Sequence, residues 1–118
     1  MRQRAVAVVI RRGKILLVRD RGKRQFSLPG GGIHKGEPIV SAAARELYEE
    51  LGLKAKNVKR LRNCDFRGAV SYHRVCLIEV GGRPRLRGTE LDKFIWWDMK
   101  SNVSAYSHVT SIINSMGH

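Results

Sequence analysis

Between Gly31 and Leu53 the chain places Glu37, Arg45, Glu46, Glu49 and Glu50 in a frame bounded by Gly31 and Gly52. Glu46, Glu49 and Glu50 stand at i, i+3 and i+4, so on a helix they share one face. Like charges at i,i+4 destabilise a helix by about 0.2–0.5 kcal/mol per pair. A bound cation reverses that sign. Carboxylate oxygens, backbone carbonyls and water suit a hard cation, Mg²⁺, Mn²⁺ or Ca²⁺. No Cys/His pattern has zinc spacing. Mg²⁺ keeps several waters and is typically held by a few carboxylates plus substrate phosphates. Two such ions would clamp the attacking and leaving oxygens of a phosphoryl displacement. The chemistry this pattern points to is hydrolysis within a phosphate chain.

A helix must carry these groups. Pro38 suits its first turn, where a missing N–H needs no partner. From Pro38 to Leu51 the chain is rich in Ala, Leu and Glu, which are good helix formers, and Gly52 stands where a helix stop is expected. Val40, Ala43, Ala44, Leu47 and Leu51 recur at helical spacing and supply the core stripe. Arg45, four residues before Glu49, can brace that carboxylate.

In this order the residues spell a glycine, five residues, a glutamate, seven residues, Arg-Glu, an aliphatic, any residue, Glu-Glu, any residue, a glycine and an aliphatic. Residues 31–53 therefore resemble the Nudix box, with every specified position met. The preceding Phe26-Ser27-Leu28-Pro29-Gly30 resembles the run that leads into that box. The box covers about a fifth of the chain, and the flanks fit the same domain. The resemblance implies a metal-dependent hydrolase that sends water onto a phosphorus of a nucleoside diphosphate linked to another moiety. By position, Glu46, Glu49 and Glu50 match metal-binding or catalytic glutamates, and the carbonyl of Gly30 matches a backbone metal contact. Arg45 matches the residue that orients a catalytic glutamate, while Gly31, Glu37 and Gly52 match structural positions. The general base varies among Nudix proteins, so Glu46, another box glutamate and Glu90 are all candidates. Mg²⁺ or Mn²⁺ is the implied cofactor. Signatures of the ADP-ribose-, NADH- and CoA-cleaving branches are not found, which leaves a MutT-like nucleotide pyrophosphohydrolase as the expected type.

The elements around the box follow from pattern. Ala5–Ile10 and Lys14–Arg19 read as strands around a turn at Arg12-Gly13, and 20–25 as a charged loop. Residues 55–65, 70–80 and 91–98 read as further strands, with a turn at Gly81, Gly82 and Pro84. Residues 103–116 read as a closing helix capped by Ser101 and Asn102. Length and the 42% hydrophobic content fit one domain spanning 1–118. Strands interleaved with two helices give an α/β fold, and the resemblance implies a Nudix-type α/β/α sandwich with a mixed β-sheet. No apolar run is long enough for a membrane span and no secretory signal is evident, so a cytoplasmic setting is expected. Cys64 and Cys76 are then reduced thiols, placed on strands.

Net charge is +13, yet four of the ten acidic residues lie in the box, so the rest of the surface is strongly basic. Such a field draws in polyanions. It fits a nucleotide polyphosphate, either a nucleoside triphosphate or a dinucleoside polyphosphate, and it also fits an RNA 5′ end. Arg19, Arg21 and Arg24 precede the glycine run and are candidates for phosphate contacts. Phe26 and Tyr72 are candidates to stack on a base, with core packing as the alternative. Trp96 and Trp97 are adjacent and must point to opposite faces of a strand. His34, His73 and His108 lack ligand spacing and read as surface or loop residues. A nucleotide-binding domain without turnover is the third reading; such domains usually lose a box glutamate, and here all are kept. The pattern does not choose between monomer and homodimer.

Overall fold

In the computed structural model, which describes residues 1–117, the run from Ala5 to Val9 is apolar and buried at every position. A continuous apolar run suits a strand covered on both faces. It occupies β1 (Arg2–Val8) and the residue after it. β1 lies inside a five-stranded mixed sheet ordered β4 (Gly30–Gly32), β1, β7 (Ser71–Gly81), β5 (Lys54–Arg60), with the short β6 (Phe66–Arg67) also on β7. β1 and β7 are parallel, with Val6 opposite Val75, and the other pairs are antiparallel. A second, antiparallel sheet of three strands was not anticipated from the sequence. It joins β2 (Ile10–Arg11), β3 (Lys14–Asp20) and β8 (Leu91–Trp97), with Leu16 opposite Trp96.

Strand alternation sorts the apolar side chains into two cores. Ala5, Ala7, Leu16, Val18, Cys76 and Ile78 pack beneath helix α1 (Ile39–Leu51), against Ala43, Leu47 and Leu51. Val6, Val8, Ile15, Leu17 and Val75 pack beneath helix α2 (Ser107–Asn114), against Val109 and Ile112. Each fully buried Leu or Ile contributes roughly 1.5–3 kcal/mol, so both helices are held mainly by these stripes. The α1 stripe differs slightly from the expected one: Ala42 is buried and Ala44 only partly so. Pro38 is the residue before the helix, and its carbonyl accepts the Ala42 N–H at 3.0 Å. Gly52 ends the helix as expected, at φ 69, donating its N–H to the Tyr48 carbonyl at 2.9 Å.

Three expectations need correction. The strand expected over 55–65 stops at Arg60; a 3₁₀ turn, Arg62–Cys64, follows, so Cys64 is not on a strand. Both cysteines are buried free thiols. The chain turns because Asp65 is drawn inward. Its carboxylate accepts both Nη atoms of Arg60 at 2.9 and 2.8 Å, Nε of Arg74 at 3.0 Å and the Val75 N–H at 2.8 Å. The closing helix starts only at Ser107, without a side-chain cap. Residues before it pair with Phe26 instead: the Phe26 N–H donates to Ser104 O at 2.8 Å, and the Tyr106 N–H donates to Phe26 O at 3.0 Å. Ser101 caps nothing; its N–H and Oγ donate to Asp98 at 2.7 and 2.8 Å. The β2–β3 turn is at Arg12-Gly13 as expected, with φ 54 and 75. Both values are positive, the two-residue turn that favours Asn or Gly first. Arg12 holds it against a steric cost of about 1–2 kcal/mol. His118 lies outside the described residues. Among the described residues no helix is long and apolar enough to cross a membrane.

The Asp65 side chain is only 8% exposed. Burial alone would raise its carboxyl, but the hydrogen bonds from Arg60, Val75 and Arg74 outweigh it and hold it below the usual range. Asp65→Ala leaves two half-buried guanidiniums facing each other and should lower stability by about 2–3 kcal/mol, less than a fully buried pair because both arginines reach solvent. Urea unfolding checks this, and Asp65→Asn should lie between the two.

Candidate active site

Helix α1, the β4 strand and the loop between them meet at Arg45. Its guanidinium donates from Nε and Nη2 to the two oxygens of Glu37 at 2.8 and 3.0 Å, and from Nη2 to the Gly32 carbonyl at 3.0 Å. Nη1 donates to Glu46 at 3.0 Å and to Glu49 at 2.9 Å. The Arg45 hydrogen bonds, with the His34 N–H, hold the Glu37 carboxyl down to about 2. Glu37 is thus a permanent anion clamping the loop to the helix. Gly31 has a steric reason: a Cβ there would collide with the Glu46 carboxylate.

The three helix glutamates do not share one environment. Glu49 is 56% exposed at its side chain, Glu46 is half-buried, and Glu50 is 9% exposed with Oε1 accepting the Gly30 N–H at 3.2 Å. Burial, then the Glu46 charge, pushes the Glu50 carboxyl up to about 8. Glu46, Glu49, Glu50 and Glu90 line one cleft of about 380 Å³ together with Arg87. Glu90 comes from the residue before β8, on the far wall. Among the described residues its carboxylate has no hydrogen-bond or ion-pair partner, unlike the helix glutamates.

The donor set fits a hard divalent cation: carboxylate oxygens of Glu46, Glu49 and Glu50, and the Gly30 carbonyl. Among the described residues no three acidic, His or Cys side chains already converge as a ligand cage. Glu46 and Glu49 are turned to Arg45, and Arg4 Nη2 donates to the Gly30 carbonyl at 3.1 Å. Guanidiniums hydrogen-bond three of the four donors, while Glu50 has only the Gly30 N–H and the more distant charge of Arg4. A cation at that point would compensate all four.

Of the other candidates, Arg21 borders this cleft, donating its N–H and Nε to the carbonyls of Glu90 and Thr89 at 2.7 and 2.8 Å; the rest lie apart from it. Arg19 is paired to Asp92 at 2.9 Å and covers the Phe26 ring at 5.5 Å. Phe26 itself is 8% exposed in the α2 core. Arg24 is exposed on the 20–25 loop. Tyr72 sits between the guanidiniums of Arg67 and Arg74, at 5.2 and 5.0 Å. Trp96 packs on the α1 core; Trp97 faces the α2 core and donates Nε1–H to Ser101 O at 2.8 Å. His34 is exposed as expected. Neither His73 nor His108 lies in a loop: His73 is buried on β7, and His108 is partly exposed on α2. They stack at 4.2 Å between centroids, Tyr106 stacks on His108, and with Arg4 they line a cavity of about 270 Å³ beyond Gly30. Burial lowers both imidazoles, with the His73 charge adding to the effect on His108, which falls to about 4. Sequence reasoning missed Arg4, Arg87 and this imidazole pair. Strand alternation could have put Arg4 and Val6 on one face, but nothing in the motif marks Arg4.

The NUDIX domain family model matches residues 1–110. The chain belongs to the Nudix hydrolase family. It is similar to a MutT NUDIX hydrolase from Burkholderia pseudomallei, 23% identical, covering 98% of this chain and 97% of that one with a TM-score of 0.85. An ADP-ribose pyrophosphatase from Streptococcus suis shares the fold at 19% identity, 99% and 93% coverage and a TM-score of 0.71. Among curated proteins, the RNA pyrophosphohydrolase of Haemophilus ducreyi is 47% identical over 49 residues, 42% of this chain and 25% of that protein. The RNA pyrophosphohydrolase of Proteus mirabilis is 45% identical over 58 residues, 48% of this chain and 33% of that protein. The matched stretch spans a quarter to a third of these curated relatives.

A carboxyl raised in the folded state favours folding while protonated. Metal-free protein should therefore lose stability as pH rises from 4.5 toward about 8. Glu50→Gln keeps an acceptor for the Gly30 N–H and removes the buried charge. It should flatten this slope and stabilise metal-free protein at pH 8 by on the order of 1–3 kcal/mol, read by urea unfolding in EDTA at pH 5 and 8. For His108, an NMR titration should show the ring neutral at pH 7, with a midpoint near 4; a midpoint above 6 would contradict the buried stack.

Proposed function

We propose that this chain is a metal-dependent pyrophosphohydrolase acting on the 5′-triphosphate end of RNA. The observation that carries the reading is the cleft itself. Four carboxylates line one space with Arg87 at its edge, the Gly30 N–H is hydrogen-bonded to one of them, and a net charge of +13 stands behind them. The RNA end, rather than a free nucleotide, is supported by the basic surface and by the names of the curated relatives matched over part of the chain.

Glu46, Glu49, Glu50 and the Gly30 carbonyl would hold Mg²⁺ or Mn²⁺. When bound, the cation neutralises phosphate charge and lowers the pKa of water. The chain's own groups do the rest. Arg45 fixes the helix carboxylates in place, and Arg87 and Arg4 contribute positive charge beside the phosphate chain. Water oxygen forms a bond to phosphorus, the bridging P–O bond breaks, and the released phosphate or pyrophosphate carries away the bridging oxygen. The water's proton goes to a carboxylate. Glu90 is the best placed of the candidates because no arginine holds it.

Glu90→Gln should lower kcat by about 10²–10⁴ with KM little changed, the range for loss of a general base. A loss confined to Glu46→Gln would move the base to the helix. Product formation should be followed for 5′-triphosphate RNA, ordinary and 8-oxo deoxynucleoside triphosphates, diadenosine polyphosphates and ADP-ribose, with Mg²⁺ and with EDTA. Metal-dependent cleavage favouring the RNA is expected, and Glu50→Gln should abolish it. Preference for a free triphosphate would make this a MutT-like nucleotide hydrolase, and silence from folded protein that still binds nucleotide would make it a binding domain.

A further inference from the structure

A second cleft, of about 480 Å³, lies at the opposite end of β8 from Glu90 and is lined by Arg11, Arg12, Lys14, Arg83, Phe94 and Trp96. Arg11 is committed internally, donating to the carbonyls of Gly82 and Val80 at 2.8 and 3.3 Å, and its guanidinium lies over the Trp96 ring at 5.4 Å. That stack offers a flat cationic surface of the kind on which unpaired bases settle. Arg12, Lys14 and Arg83 are exposed, and none has a carboxylate within ion-pair distance among the described residues. Asp98, which feels the Lys14 charge, already accepts the N–H groups of Lys100 and Ser101.

Two features single this cleft out from general surface charge. Arg12 holds a left-handed backbone at a turn position where Asn or Gly fits without strain, and strain of this kind concentrates at functional sites. The loop between β7 and β8 also joins the two clefts. It is pinned to the end of α1 by the Arg85 and Arg87 N–H groups, which donate to Leu51 and Glu50 carbonyls at 3.1 and 3.0 Å. It carries Arg83, Arg85 and Arg87 at alternate positions, with Arg87 on the carboxylate cleft and Arg83 on this one. Leu91 lines the first cleft and Trp96 the second, five residues of strand apart, or about 17 Å.

We propose that the Arg11–Trp96 cleft is a docking site for single-stranded RNA downstream of the 5′ end, with Arg87, Arg85 and Arg83 tracking the phosphates between the two clefts. The inference rests on the RNA reading of the carboxylate cleft and extends it with a second site. It explains why so much positive charge lies beyond reach of a mononucleotide.

The probe is a labelled 5′-hydroxyl single-stranded oligoribonucleotide of about eight nucleotides, within the usual span of single-strand sites, followed by anisotropy in EDTA. Arg12→Gly relieves the backbone strain, so its thermal midpoint should hold or rise. Its Kd for the probe should nevertheless rise about tenfold, and the slope of log affinity against log salt should fall by about 0.7. Arg83→Ser should behave likewise without the stabilisation. With both variants, KM for a 5′-triphosphate octamer should rise while cleavage of a 5′-triphosphate dinucleotide stays at the wild-type rate. Wild-type binding of the probe by Arg12→Gly, equal affinity for a duplex of the same sequence, or equal losses on dinucleotide and octamer would each overturn the proposal. If wild-type protein cleaves no triphosphate RNA yet the variants still lose the probe, the catalytic reading falls and the docking site stands.

Discussion

Arg45 donates five hydrogen bonds, to Glu37, Glu46, Glu49 and the Gly32 carbonyl. A guanidinium has five N–H groups, so the side chain is saturated. These bonds tie the loop, the β4 strand and two turns of α1 into one body. They let Glu46 sit against Gly31 with no room for a Cβ. Lysine could not do this, because its three donors diverge from a point and cannot bridge a planar set of acceptors. The rest of the box follows from the same constraint: Glu37 is the counter-charge that keeps the fork in place, Gly31 makes space for the carboxylate it holds, and Gly52 ends the helix so that the chain can return toward β5.

The box was legible because its residues act locally. Helical spacing alone puts Glu46, Glu49 and Glu50 near one another, and the glycine stop and arginine brace are readable at short range. What was not legible was depth. Glu50 is buried and Glu49 exposed although they are neighbours in sequence, because Glu50 lies on the flank of the Ala43–Leu47–Leu51 stripe. Contacts between distant segments were also out of reach. The Asp65 network joins β7 to the turn after β5, and the Phe26 backbone pairs with residues 104–106, which delays the closing helix. Neither pairing leaves a periodic trace. The second sheet went unseen for the same reason, since each of its strands looks like any other apolar run.

The candidate aromatic and basic residues show how position overrides type. Phe26 has the composition of a base-stacking residue, yet its ring belongs to the α2 core and lies under Arg19, itself paired to Asp92. Arg4, by contrast, looked like one of many surface cations. It reaches the Gly30 carbonyl, and its buried Nε has no hydrogen-bond partner among the described residues. A guanidinium in that position lowers the neighbouring imidazoles and opposes the rise in Glu50. It separates an acidic cleft from a neutral, imidazole-lined cavity within a few residues of β1.

Burial of Glu50 is therefore a deliberate imbalance. A protein selected only for stability would place Gln or Leu there, because a carboxylate with one backbone hydrogen bond does not recover its lost hydration. A divalent cation bound beside Glu50 would relieve the imbalance. A site already compensated by its own lysines and arginines would hold metal weakly, since the cation would have to displace them. Here Arg45 compensates Glu46 and Glu49 through direct hydrogen bonds and Arg4 compensates the Gly30 carbonyl, while Glu50 receives only the Gly30 N–H and the more distant charge of Arg4, so Glu50 would gain most from a bound cation. The same logic accounts for the distribution of charge over the whole molecule. Acidic residues are concentrated at this cleft, with four of the ten in the box, and Arg87, Arg85 and Arg83 lead away from it.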